Sequence, residues 1–117
     1  MDLRPYSSFD HAACVALCGP FSVPAHFVVM EHEGTVVGCG GYTADGELVL
    51  GTIRSDLRRQ GLGRFLLLAR LREVAKLPGV SHARLWAPAE FVSFYAKQGF
   101  KPAGPEGQMQ LRLDVCP

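Results

Sequence analysis

Residues 58–64 read Arg-Arg-Gln-Gly-Leu-Gly-Arg, and the fold turns on how this RRQGLGR stretch is read. Before it lies a β-prone run, ELVLGTI at 47–53; after it comes FLLLARLREVAKL, with apolar and basic residues mixed at helical spacing through Leu77. A glycine-rich turn between a strand and a helix presents unpaired backbone N–H groups at the positive end of the helix dipole. That is a site for an anion such as a phosphate. Glycine lets the ligand come close to the backbone, and Arg58, Arg59 and Arg64 add charge at the same point. The competing reading is a loop whose glycines only relieve strain and whose arginines are solvated. Two familiar phosphate loops are excluded, because no Gly-Lys-Ser/Thr is present and Gly61-x-Gly63 lacks the third glycine of the dinucleotide fingerprint.

Working outward from this turn, the chain reads as β α β β β α β α β. Leu3 to Tyr6 forms a short strand, and Ser8 or Asp10 caps a helix that runs through Ala13, Val15, Ala16 and Leu17 to Cys18, where Gly19-Pro20 stops it. HFVVM at 26–30 and TVVGCGGY at 35–42 are strands joined by a turn at Glu33-Gly34. Asp45-Gly46 is the strongest hairpin signal and is assigned a type I′ turn into the strand 47–53. Pro78-Gly79 ends the long helix. A strand ARLWA at 83–87 follows, then a short helix from about Glu90 to Gln98 closed by Gly99. The last strand, QMQLRLDV at 108–115, alternates Met109, Leu111, Leu113 and Val115 with polar residues. The expected architecture is a mixed α/β fold: one central, mostly antiparallel twisted sheet flanked by helices, in a single domain spanning 1–117.

Composition sets the limits. A chain of 117 residues, 48% hydrophobic and 20% charged, has the balance of one globular domain. The formal charge of +1 argues against a nucleic-acid partner, and no apolar run approaches the ~20 residues of a membrane-spanning helix. The N-terminus carries Asp2 and Arg4 where a secretory signal would turn apolar, so a cytoplasmic location is expected. Cys14, Cys18, Cys39 and Cys116 show no CxxC pair and no matching histidine spacing; they read as reduced thiols, with no metal.

A second motif, FYAKQGF at 94–100, combines with RRQGLGR into a recognisable pattern. The two together resemble the GCN5-related N-acetyltransferases, whose signatures are Arg/Gln-x-x-Gly-x-Gly/Ala before a helix and an aromatic-Tyr pair three residues before Gly-Phe. Arg58, Gly61 and Gly63 fill the first; Phe94, Tyr95, Gly99 and Phe100 fill the second. The resemblance implies acetyl-coenzyme A as co-substrate, its pyrophosphate on the loop of Arg58, Arg59, Gln60, Gly61, Leu62, Gly63 and Arg64. It implies that the main chain of Gly51, Thr52 and Ile53 bonds the pantetheine arm, and that a backbone N–H near Ile53, at a bulge in that strand, polarises the thioester carbonyl. Tyr95 takes the place of the family's general acid. Glu47 stands at the offset of the catalytic base of histone-acetylating members, with His26, Glu31, His32 and Glu90 as alternative bases.

The implied activity is acetyl transfer to a primary amine of a small molecule or an exposed protein amine. The alternative is a non-catalytic acyl-coenzyme A-binding module. Two departures from the family pattern stand out. Pro88 occupies the position of a cofactor-contacting Asn and supplies no donor, so it reads instead as the start of the short helix. Only one helix fits between Tyr6 and His26, where family members usually carry two. This shortened N-terminal region leaves the acceptor wall open or completed by a second subunit in a homodimer.

Overall fold

Two tight turns, at 33–34 and 44–46, set the order of three of the four strands in the first sheet. A computed structural model describes residues 2–113. Strands β1 (Asp2–Pro5), β2 (His26–His32), β3 (Thr35–Tyr42) and β4 (Leu48–Ile53) pair antiparallel in that order. Helix α1 (His11–Cys18) lies between β1 and β2 in the chain, and α2 (Leu62–Val74) follows β4. The rest comprises β5 (His82–Trp86), α3 (Val92–Lys97), β6 (Lys101–Pro102) and β7 (Gln108–Arg112), with the three strands in the order β5-β7-β6. The single central sheet expected from the sequence is therefore divided in two. Among the described residues, one parallel bridge, Glu47 to Arg84, joins the halves.

β2 alternates and β3 carries a bulge at Val37, so the two strands send side chains to two covered faces. Phe27, Val29 and Cys39 meet Cys14 of α1 on one face, while Met30, Val37 and Ile53 meet Leu66 of α2 on the other. A third cluster sets Leu67 and Val74 of α2 against Ala83, Leu85, Met109 and Phe100 of the C-terminal half. Helix α2 thus spans both sheets and fixes the angle between them. Each such side chain contributes roughly 1.5–3 kcal/mol on full burial.

Two expectations about turns are exchanged. Glu33 (φ 51°) and Gly34 (φ 79°) both adopt positive φ, so the type I′ hairpin turn is theirs. At Asp45-Gly46 only Gly46 does (φ 92°); its N–H donates to the Thr43 carbonyl at 3.1 Å, and the Thr43 N–H donates to the Glu47 carbonyl at 2.9 Å. That is the three-residue form, a type I turn closed by a bulge glycine. The cap of α1 also differs. Asp10 is the N-cap residue, but its carboxylate accepts from the Ser7 N–H at 2.9 Å and from both outer nitrogens of Arg4 at 2.8 Å. Arg4, which also reaches Glu31 at 2.8 Å, holds the Asp10 carboxyl down to about 2. Glu47 lies just outside β4, α2 ends three residues before Leu77, and Lys101–Pro102 adds an unanticipated short strand. Val115 and Cys116 lie outside the described residues.

The end of α3 follows from Gly99. Its N–H donates to the Ala96 carbonyl at 3.0 Å and the Phe100 N–H donates to the Tyr95 carbonyl at 3.1 Å, the paired bonds of a Schellman motif. The left-handed residue at φ 99° is Gly99, and Phe100 is then delivered into the core. Gly99→Ala is expected to cost about 1–3 kcal/mol, because a Cβ is strained at this φ. Its Cβ would also come within 3.2 Å of Leu111. Thermal unfolding checks this: a drop of several degrees is expected, and an unchanged midpoint contradicts the role given to Gly99.

Candidate active site

Strand β4 breaks its pairing with β3 in the middle. Cys39 faces Thr52 and Gly41 faces Val49, so Leu50 and Gly51 together oppose Gly40. This is a β-bulge, with Leu50 in the left-handed region at φ 58°. The sequence anticipated such a break near Gly51 and Ile53, and the structure has it. On its other side β4 meets β5 only at its start, where the Arg84 N–H donates to the Gly46 carbonyl at 2.9 Å. Beyond that bridge the two parallel strands have no ladder, and a V-shaped cleft opens toward their C-terminal ends. Gly51, Thr52 and Ile53 lie on the β4 side of this cleft.

Both sequence motifs flank the mouth of the V, because β4 leads into the glycine turn and β5 leads into α3. Gly61 is the N-cap of α2 at φ 79°, and the first intrahelical bond runs from the Phe65 N–H to its carbonyl at 3.0 Å. The N–H groups of Leu62, Gly63 and Arg64 precede that bond and have no helical acceptor. An ideal Cβ on Gly61 would meet nothing within 4 Å, and one on Gly63 only Phe94 at 3.9 Å. Internal crowding therefore does not require glycine at 63. The arginines divide their work. Arg58 Nε donates to the Ile53 carbonyl at 3.1 Å, tying the loop to the end of β4, while Arg64 Nε donates to Gln98 Oε1 at 3.1 Å, tying α2 to α3. Arg59, with φ 65°, and Gln60 are exposed in the turn between them.

Tyr95 is half-buried on the α2 side, packed edge-on against Phe94 and Phe100 at ring separations of 5.1 and 5.7 Å. Its hydroxyl has no hydrogen bond among the described residues and is not sealed from solvent. Glu47 is on the opposite face of the sheets. It lines a cavity of about 210 Å³ with Arg84, Trp86, Gln108 and Gln110, where Trp86 is 55% exposed. The structure thus sets the glycine turn against the end of β4 and the start of α2 against α3, the helix that carries Tyr95, with Glu47 on the opposite, uncovered side. Pro88 is the N-cap of a single 3-10 turn, Ala89–Phe91, that precedes α3.

Two groups near the bulge were not assigned from the sequence. Arg70 is only 4% exposed, and its Nη1 donates to the Gly41 and Val49 carbonyls at 3.3 and 3.4 Å. Burial pushes its guanidinium below the ordinary arginine value, opposed by Tyr95 and Cys39. On the α1 face the Cys18 and Cys39 sulfurs are in hydrogen-bond contact at 3.2 Å, with no disulfide between them. Hydrogen bonding from Cys39, and then from Thr52, lowers the Cys18 thiol to about 6, while the same contact and burial push Cys39 up. Among the described residues no group of three or more His, Cys, Asp or Glu side chains is placed to hold a metal. No helix there is long and apolar enough to cross a membrane.

Residues 21–111 match the acetyltransferase (GNAT) domain family. An IAA acetyltransferase of Azospirillum brasilense is 35% identical over 89 residues, 69% of this chain and 58% of the relative. The chain thus spans little more than half that relative's length. Among solved structures, N-acetylglutamate synthase from Neisseria gonorrhoeae, complexed with coenzyme A and L-arginine, superposes with a TM-score of 0.82 at 20% identity. The match covers 97% of this chain and 33% of that one. The ribosomal-protein-S18-alanine N-acetyltransferase from Escherichia coli superposes at 0.80 and 19% identity, covering 99% of this chain and 96% of that one. Both are similar in fold.

The thiol environment predicts a pH profile. Only the thiolate is alkylated, so iodoacetamide labelling of the Cys18 peptide is expected to reach half its maximal rate at a pH well below the ordinary thiol value. Cys39→Ala removes the donor that favours the charged form and shifts the midpoint upward. A midpoint near the ordinary thiol value of about 8.5 in the unmodified protein contradicts the assigned hydrogen bonds.

Proposed function

The chain belongs to the GNAT acetyltransferase family, and from that premise we propose that it moves an acetyl group from acetyl-coenzyme A to a primary amine. What supports this reading is an open glycine turn that Arg58 ties to the unladdered β4 and Arg64 ties to α3, the helix of Tyr95, whose hydroxyl has no partner among the described residues. The N–H groups of Leu62, Gly63 and Arg64 suit a pyrophosphate at the positive end of α2. The loop 58–64 and the strand segment 51–53 then hold the two ends of one extended ligand. The solved relative complexed with coenzyme A supports the same ligand class.

Chemistry follows from the two sides of the sheet. A Lys-like amine, with a pKa of roughly 10.4, attacks only after losing its proton. Glu47, on the open face, accepts that proton through a water. A backbone N–H following the bulge, near Ile53, donates to the carbonyl oxygen as the C–N bond forms. Tyr95, on the opposite side, gives its hydroxyl proton to the sulfur as the C–S bond breaks. Base and acid thus serve attack and departure from different faces. The single short helix α1 leaves the Glu47 side uncovered, which suits an exposed amine approaching from that face.

Thiol release from acetyl-coenzyme A against a panel of small amines and peptide amines tests the proposal. At least one amine is expected to raise turnover. Tyr95→Phe is expected to lower kcat by about 10²–10⁴ with coenzyme A affinity retained. Tight coenzyme A binding with no amine-dependent turnover would leave an acyl-coenzyme A-binding module instead.

A further inference from the structure

Arg70 interrupts the buried stripe of α2, whose other members are Leu66, Leu67 and Val74. A leucine or methionine there would continue the apolar face with no charge to desolvate. Among the described residues its hydrogen bonds are to backbone carbonyls, with no carboxylate partner, and its Nε has no acceptor. Space for the guanidinium exists because two glycines face it. A Cβ on Gly51 would stand 2.6 Å from Nη2, and one on Gly40 3.0 Å from Nε and Cζ. Gly51 is part of the bulge, and Gly40 is the residue opposite it. The carbonyls that Nη1 reaches, Gly41 and Val49, belong to the register pair directly before the bulge.

We propose that Arg70 is a positioning residue for acyl transfer: it clamps β3 to β4 beside the bulge and so fixes the backbone N–H groups that face the thioester carbonyl. The proposal rests on the acyl-transfer reading above. A buried cation is a poor choice for packing alone. Its position is explained by the bulge, where the interrupted ladder leaves carbonyls for a side chain to bridge and Leu50 in a strained conformation to be held. The residue acts through the backbone, so loss of the clamp affects the chemical step more than coenzyme A binding, which the strand segment 51–53 shares with the turn at 61–64.

Arg70→Met removes the clamp. Gly40→Ala displaces the guanidinium without changing any charge, and Arg70→Lys keeps a donor without the fork. Amide hydrogen exchange at residues 50–53 is expected to rise at least about tenfold in Arg70→Met and Gly40→Ala, with β2 and α2 unchanged. In the same two variants kcat is expected to fall about tenfold or more, and coenzyme A affinity by a clearly smaller factor. Arg70→Lys recovers part of both losses. Should Arg70→Met fail to fold, Gly40→Ala and Arg70→Lys carry the test. Unchanged exchange at 50–53 in the variants overturns the assignment with acyl transfer intact. A general rise in exchange, with kcat and coenzyme A affinity falling together, marks a merely structural residue and also overturns it. Exchange needs no turnover; wild-type protein inert toward every amine therefore defeats the acyl-transfer reading separately.

Discussion

The break in pairing at Leu50 and Gly51 is the constraint on which the rest of the site depends. A non-glycine residue in the left-handed region costs about 1–2 kcal/mol, and here it is a leucine at φ 58°. In return the bulge kinks β4 in its C-terminal half, where it no longer pairs with β5. Helix α2 packs across both halves and fixes the angle between them. With β4 unladdered on that side, its main chain is free to bond a ligand, and the turn that follows it aims three unbonded N–H groups at the same mouth.

The two faces of the structure are unequal. α2 and α3 cover one, burying Phe100 and half-burying Tyr95, while the other carries only the short α1 beside β3 and β4. That leaves Glu47, Trp86 and the glutamines of β7 on open ground. The N-terminal segment is nonetheless held firmly where it exists, since Arg4 links Asp10 at the start of α1 to Glu31 on β2. This face is thus uncovered beside a short chain segment that is itself ordered.

Local signals were the legible ones. RRQGLGR and FYAKQGF place a strand-turn-helix and a glycine-closed helix from residue chemistry alone, and both form, because backbone conformation at Gly61 and Gly99 is decided within a few residues. What escaped depends on partners distant in sequence. The division of the sheet turns on which strands of the fold fail to pair, and Asp45-Gly46 took the three-residue form because its register with Thr43 and Glu47 required it. Arg70 read as one more basic residue on an amphipathic helix; its signal was its phase, in line with Leu66, Leu67 and Val74, beneath glycines at 40 and 51 that only the sheet brings together. The Cys18–Cys39 contact likewise joins a helix end to a strand.

The central claim is that one ligand spans the glycine turn and the β4 edge. Titration of coenzyme A into isotopically labelled protein, with backbone amide shifts followed residue by residue, tests it most directly. The largest shifts are expected at Gly51, Thr52 and Ile53 together with Leu62, Gly63 and Arg64, saturating with one common affinity. Shifts confined to the Trp86 face, or saturation at 62–64 with residues 51–53 unmoved, would contradict it.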